Sequence, residues 1–141
     1  MAEIVDEINT LRVCKKIETP LCGEIVEMAK NSAVVKFAPS ENMVAYETWV
    51  HQGFVFNSAS FCAMVAVNEP NSVIIKSEVK FLSPLQLGNE ITLKAKAMHS
   101  DLKKCEVEVE GFLYNVRIFE AIFHIVLFEK SLFKIDFSKV K

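Results

Sequence analysis

Residues 47–67, ETWVHQGFVFNSASFCAMVAV, decide how this chain folds. The stretch is almost wholly apolar from Phe54 onward and is interrupted only by Asn57, Ser58 and Ser60. A helix that is apolar on nearly all faces is buried on nearly all faces. We therefore predict one long buried helix over residues 47–67. The candidate site lies at its polar start, which contains Glu47, Thr48, His51, Gln52 and Gly53.

The segments on both sides of this helix have the apolar alternation of β-strands. Before the helix, residues 23–37 predict a hairpin with its turn at Asn31-Ser32, and residues 40–46 predict a loop or a single helical turn. After it, strands are predicted within residues 72–82, 91–98, 106–113 and 117–128. Short connections favour an antiparallel meander, so the fold class is α+β, with roughly five or six antiparallel strands wrapped around the central helix.

The strand that follows the helix is expected to have one core face and one solvated face. The predicted core residues are Val73, Ile75, Val79 and Phe81, and the predicted solvated residues are Lys76, Glu78 and Lys80.

We predict a single domain over residues 1–141, with accessory segments at both ends. Residues 3–13 have the apolar spacing of a short amphipathic helix, and residues 14–21 predict a connector that Pro20 keeps irregular. Residues 129–141 predict a charged tail.

The composition excludes several broad classes of function. The chain has 141 residues, 51% of them hydrophobic, and a net charge of −2 without a basic run, which argues against nucleic-acid binding. The apolar runs are shorter than the ~20 residues that a membrane helix needs. Four cysteines without a CxxC pair, and an N-terminus without an apolar signal segment, predict reduced thiols in a cytoplasmic protein. His99 and His124 lack metal-ligand spacing, so we predict no metal site.

The order of hairpin, buried helix and meander resembles the hot-dog fold of acyl-CoA thioesterases and dehydratases. Three stretches within roughly residues 22–128 carry the resemblance. GEIVEMAKNSAVVKFAPSENM (23–43) is similar to the family's opening hairpin, and His51-Gln52-Gly53 to a His-Gly-Gly helix entry. VKFLSPLQLGN (79–89) is similar to the pattern Phe-Leu-x-Pro, three residues, then Gly and Asp or Asn.

The branch that this chain resembles most is the ligand-binding half of the FapR-type repressors of fatty-acid synthesis, a dimeric domain that binds malonyl-CoA without hydrolysing it. We expect none of those repressors' DNA-binding helices, because residues 1–20 lack a helix-turn-helix pattern. The malonyl-binding relatives use an Arg just before the helix, where this chain has Trp49 and Val50. That difference favours a neutral acyl chain.

The resemblance implies that the helix start holds the carbonyl of an acyl thioester. Unsatisfied backbone N–H groups and the helix dipole stabilise such an oxygen. Gly53 would let the ligand approach the backbone, or would instead let the helix cross a strand closely. The implied ligand is acyl-CoA or CoA, with no cofactor required. The predicted ligand-binding residues are His51, Gln52, Gly53, Phe54, Asn57, Ser60, Lys80, Phe81 and Leu82.

Related thioesterases place an Asp or Glu on this helix about nine residues after the His, where this chain has Ser60, and residues 48–68 contain no acid. A serine nucleophile needs an adjacent base. Glu47 and His51 have the i, i+4 spacing of one helix face, so they are the catalytic candidates if the protein is an enzyme. They could equally be surface or capping residues, and Asn57, Ser58 and Ser60 could be satisfied core contacts.

Three functional hypotheses follow. The leading one is a homodimeric acyl-CoA-binding protein with little or no hydrolytic activity, which could be a regulator in fatty-acid metabolism. The alternative is an acyl-CoA thioesterase that uses Glu47 or His51. The third is a protein-interaction module in which the N-terminal helix docks a partner.

Overall fold

The computed structural model describes residues 10–100 and 103–128. Two helices, α1 (Thr19–Cys22) and α2 (Gln52–Val67), and a 3-10 turn at Glu41–Met43 lie in these residues. The strands are β1 (Glu24–Ala29), β2 (Ser32–Phe37), β3 (Val44–Tyr46), β4 (Trp49–Val50), β5 (Ser72–Phe81), β6 (Ile91–Ser100), β7 (Lys104–Leu113) and β8 (Val116–Leu127). The predicted helix at 3–13 falls largely outside the described residues, and the predicted tail at 129–141 falls wholly outside them.

Six of the strands form one antiparallel sheet in the order β1-β2-β6-β7-β8-β5, and β3 pairs with β4 in a separate hairpin. The predicted central helix wrapped by antiparallel strands is therefore confirmed. The turn of the first hairpin lies at Lys30–Asn31, one residue earlier than predicted, with Asn31 in the left-handed region at φ 67°.

Small side chains let α2 pack closely on β2, β6 and β7. The buried Cys62 thiol lies between helix and sheet, where it donates to the carbonyl oxygens of Leu93 (3.5 Å) and Ala33 (3.6 Å). Burial away from water raises the pKa of Cys62 to about 12, because the thiolate would lose its hydration. Cys62 is therefore a neutral core residue, and all four cysteines are free thiols.

The strand alternation is confirmed in β6 and β7, where Leu93, Val107 and Val109 are fully buried. In β5 the core prediction was wrong for Ile75 and for Phe81, which is 41% exposed. A bulge between Ile74 and Lys76 interrupts the pairing with β8, so Ile74 packs against the core and Ile75 is 61% exposed.

The central helix begins at Gln52 and not at Glu47. Residues 44–50 form the β3-β4 hairpin instead, with Glu47 in its turn at φ 50°. The loop after β5 stabilises this hairpin, because the Val50 N–H donates to the Leu85 carbonyl (2.9 Å). The predicted i, i+4 helical pairing of Glu47 with His51 is therefore wrong.

Residues 10–22, which we name the strap, run along α2 from its C-terminal end to its first turns. At the far end, Asn68 accepts a hydrogen bond from the Arg12 N–H (2.7 Å) and donates to the Thr10 carbonyl (2.9 Å). The strap ends in α1, where Pro20 lies in the first turn, a position that needs no N–H donor. The predicted irregular connector is thus partly helical and anchored to α2.

Candidate functional site

The first turn of α2 presents open backbone donors. His51 precedes the helix in an extended conformation, makes no side-chain cap, and its carbonyl accepts the Phe54 N–H at 3.1 Å. Within the described part of the chain, the N–H groups of Gln52 and Gly53 have no acceptor. Both residues are exposed, so these donors and the positive end of the helix dipole are available to a ligand oxygen.

The imidazole of His51 folds over Gly53. A Cβ atom built on Gly53 would lie 2.9 Å from His51 Nε2, and its three nearest neighbours are all imidazole atoms. The ring also meets Phe54 edge-on, with 5.9 Å between ring centroids. Gly53 therefore makes room for the histidine side chain, and none of these nearest atoms belongs to a strand.

A cleft of about 180 Å³ lies beside this turn. Its lining residues come from α1, from the loop before β3 and from α2: Pro20, Leu21, Ser40, Asn42, Met43 and Phe54. The floor is mostly apolar, while Ser40 and Asn42 form a polar edge through a 2.6 Å hydrogen bond. Open donors and an apolar cleft thus adjoin each other at Phe54.

The loop after β5 fixes the chain that leads into α2. Besides the Val50–Leu85 bond, the Leu87 N–H donates to the Thr48 carbonyl (2.7 Å), and Trp49 forms an isolated antiparallel bridge with Gln86. The chain just before the helix entry, residues 48–50, and the stretch VKFLSPLQLGN therefore meet in space. They meet through Leu85, Gln86 and Leu87, and not through the residues that we predicted to bind ligand.

The predicted ligand residues Lys80, Phe81 and Leu82 lie at the end of β5. Lys80 faces a groove of about 400 Å³ lined also by Glu108, Glu110, Arg117 and Glu120, residues that alternate with the buried ones and so face away from α2. The Lys80 Nζ lies 3.8 Å from Glu120 Oε1. Phe81 packs edge-on against Phe119 with 5.5 Å between centroids, and Leu82 is 47% exposed. Within the described residues, no hydrogen bond, ion pair or ring contact joins these three residues to the start of α2.

The polar residues within α2 have specific partners. Asn57 Nδ2 donates to the Leu21 carbonyl (2.9 Å), and the buried Ser58 Oγ donates to the Cys22 carbonyl (2.6 Å). Ser60 Oγ donates back to the Asn57 carbonyl (2.8 Å). Asn57 and Ser58 therefore hold α1 against the helix, whereas Ser60 makes only a local contact.

Replacing Ser58 with alanine is expected to lower the free energy of unfolding by about 1–3 kcal/mol, because the Cys22 carbonyl loses its buried donor. Ser60→Ala is the matched control, since its hydroxyl is half-buried and bonds only within the helix, and it should change stability by less than about 0.5 kcal/mol. Urea unfolding followed by circular dichroism measures both. Equal effects of the two substitutions would contradict the role given to Ser58.

Sequence reasoning missed Leu21, Asn42, Met43 and Gln86 as residues around the site. The stretch FLSPLQLGN contained a signal for Gln86, because it was already matched to a motif. Nothing in the local pattern marked Leu21, since its place beside the cleft depends on the remote side chains of Asn57 and Ser58.

Among the described residues, no group of three His, Cys, Asp or Glu side chains is arranged to hold a metal ion. Across residues 10–100 and 103–128, neither helix combines the length and the apolar character needed to cross a membrane.

Known proteins share this architecture. No family profile matches the sequence. The crystal structure of the HP0420 homologue from Helicobacter felis is 34% identical, with a TM-score of 0.82 over 84% of this chain and 87% of that one. The chain belongs to the hot-dog fold family. A hypothetical thioesterase from Streptococcus pneumoniae, crystallised with coenzyme A, shares the hot-dog fold at 19% identity, with a TM-score of 0.70 over 74% of this chain and 84% of that one.

Two longer proteins are similar to this chain over part of their length. A methylthioribose-1-phosphate isomerase from Aquifex aeolicus is 39% identical over 111 residues, which are 78% of this chain but 24% of that protein. The transcription factor FapR of Caldanaerobacter subterraneus is 24% identical over 127 residues, which are 85% of this chain and 63% of that protein. The chain therefore spans less than two thirds of either relative.

Proposed function

We propose that this hot-dog protein binds an acyl thioester, such as an acyl-CoA, at the first turn of α2. The observation that carries the proposal is the pair of open N–H groups at Gln52 and Gly53 beside an apolar cleft. Such donors stabilise a carbonyl oxygen, while the cleft suits an alkyl chain. The coenzyme A bound by the S. pneumoniae protein of the same fold supports this class of ligand.

We further propose that hydrolysis is slow or absent. Residues 48–68 contain no carboxylate, and Ser60 has no base among its partners because its hydroxyl donates to a carbonyl. The similarity to FapR supports a regulatory role in fatty-acid metabolism, in which ligand binding is the signal.

The proposed active form is a homodimer. In a single copy β5 is an edge strand, and Phe56, Ser60 and Met64 form a half-buried stripe along α2. A second copy would cover both features, as edge strands are usually covered. Light scattering after size exclusion is expected to give twice the mass of the chain, and a monomer at all concentrations would contradict this.

Titration calorimetry with acetyl-, butyryl-, hexanoyl-, octanoyl- and palmitoyl-CoA tests the proposal. Saturable binding of at least one acyl-CoA, tighter than binding of free CoA, is the expected result, because the carbonyl and the alkyl chain supply the contacts at α2. The absence of binding by any acyl-CoA would overturn the proposed function.

A thioesterase is the second candidate, and one observation favours it: the His51 imidazole lies directly over Gly53, beside the proposed position of the carbonyl. In that case Glu47 or His51 would supply the base. Thiol release from the same acyl-CoA panel separates the two functions. Turnover that disappears in Glu47→Gln or His51→Ala would establish the enzyme and displace the binding protein.

A further inference from the structure

The helix α1 forms one wall of the cleft at the start of α2. Pro20 and Leu21 face Met43 and Phe54 across it. Within this wall Leu21 has the larger flexible side chain, and it is 49% exposed in the single chain. We propose that α1 sets the acyl-chain selectivity of this protein and that Leu21 is the selecting side chain. This inference rests on the proposed function.

The size of the cleft limits what can enter it. Sites that enclose a whole small-molecule ligand measure roughly 300–1,000 Å³, and this cleft measures about 180 Å³. A water molecule occupies about 30 Å³ and a methylene group is of similar volume, so the cleft holds on the order of six carbons. It therefore fits the end of a short acyl chain, and the CoA part of the ligand would remain outside.

Hydrogen bonds from α2 hold α1, the wall of the cleft, in place. A helix of four residues is too short to be stable alone. The Leu21 carbonyl accepts from Asn57 and the Cys22 carbonyl from Ser58, so two consecutive residues of α1 are bonded to two consecutive residues of α2. The Cys22 side chain is buried beneath them. Leu21 is thus presented on a fixed backbone, which is the condition for discriminating between chain lengths.

Asn57 and Ser58 are accordingly positioning residues. They hold the selecting wall through its backbone carbonyls, and their own side chains need not touch the ligand. Phe54 connects the two parts of the site, because it belongs to the turn with the open donors and also lines the cleft.

Two substitutions of Leu21 change the cleft in opposite directions. Leu21→Ala enlarges it and is expected to shift the tightest-bound ligand from butyryl- or hexanoyl-CoA to octanoyl-CoA or longer. Leu21→Trp fills it and is expected to weaken hexanoyl-CoA binding by tenfold or more, while acetyl-CoA binding changes less than threefold. Calorimetry with the same acyl-CoA series gives both results.

Ile17→Ala is the matched control, because Ile17 is an equally exposed aliphatic residue of the strap that does not line the cleft. It should leave the order of affinities unchanged. Circular dichroism confirms that each variant folds. Leu21→Val replaces Leu21→Ala, and Leu21→Phe replaces Leu21→Trp, where the first choice does not fold.

The outcomes distinguish a failure of the proposed function from a failure of the selecting role of α1. If no acyl-CoA binds the unsubstituted protein, the proposed function fails and the role of Leu21 fails with it. If acyl-CoAs bind but their order of affinity is the same in the unsubstituted protein and the folded Leu21 variants, the binding function stands and the selecting role of α1 is overturned.

Discussion

Replacing Gly53 with alanine is expected to weaken acyl-CoA binding by about tenfold or more, which corresponds to about 1.4 kcal/mol, while the fold remains intact. The added Cβ would lie 2.9 Å from His51 Nε2 and would project beside the open N–H groups. A ligand oxygen that must reach those groups would then meet a methyl group or a displaced imidazole.

The stability of the Gly53→Ala variant, in contrast, should be unchanged or slightly increased. The three nearest side-chain atoms to the new methyl group all belong to the exposed imidazole of His51, which can rotate away. Alanine is also favoured over glycine within helices by roughly 0.5–1 kcal/mol. Thermal unfolding is therefore expected at the same or a slightly higher temperature, so any loss of binding cannot be attributed to unfolding.

His51→Ala and the double variant His51→Ala/Gly53→Ala identify which group matters. If backbone access is decisive, His51→Ala binds nearly normally, and the two variants that carry the Gly53→Ala substitution bind weakly. If the imidazole is decisive, all three variants are equally weak. Normal binding by Gly53→Ala would contradict the placement of the ligand at the start of α2.

Gly23→Ala is expected to be among the most destabilising single substitutions in the chain. Gly23 joins α1 to β1 at φ 101° and ψ 172°, a conformation essentially restricted to glycine. A Cβ there would lie 2.7 Å from Val35 Cγ1 and 2.8 Å from the Lys36 carbonyl oxygen. The backbone strain costs about 1–3 kcal/mol and the overpacking a further ~1–3 kcal/mol, against a typical total stability of about 5–15 kcal/mol.

Gly88→Ala is a matched control for backbone strain alone. Gly88 has nearly the same φ, 97°, but apart from its chain neighbours no atom of the described residues lies within 4 Å of the position of its Cβ. It should therefore show only the strain of about 1–3 kcal/mol. Urea unfolding of both variants gives the difference, which isolates the steric contribution at Gly23. Equal losses would show that the contacts with β2 relax without cost.

Features of the fold that depend on local periodicity could be predicted from the sequence. The apolar run of α2 and the alternation around Leu93, Val107 and Val109 are properties of each segment's own sequence, and they determine which face of that segment is buried. The bulge at Ile75 could not be predicted in this way, because it adjusts β5 to its pairing with β8.

The site was predicted less completely because its parts are remote in sequence. The helix start was misplaced since residues 44–50 have their strand conformation fixed by the loop containing Leu85. The wall formed by α1 was missed since it depends on two side chains of α2 bonding to backbone carbonyls, which carry no sequence signal. Open donors were expected around Gln52, Gly53 and Phe54, because every helix start leaves such groups. Those of Gln52 and Gly53 are open, whereas the Phe54 N–H bonds to the His51 carbonyl.

The strap connects the first turns of α2 with the C-terminal end of the same helix. The side chains that bond the strap to the helix, Asn57 and Asn68, are about 16 Å apart along the helix axis. If residues 10–22 order as one unit, a ligand that stabilises α1 also favours the hydrogen bonds at Asn68, and by reciprocity the loss of those bonds weakens ligand binding. Slower amide exchange at Arg12 on ligand binding would reveal this coupling.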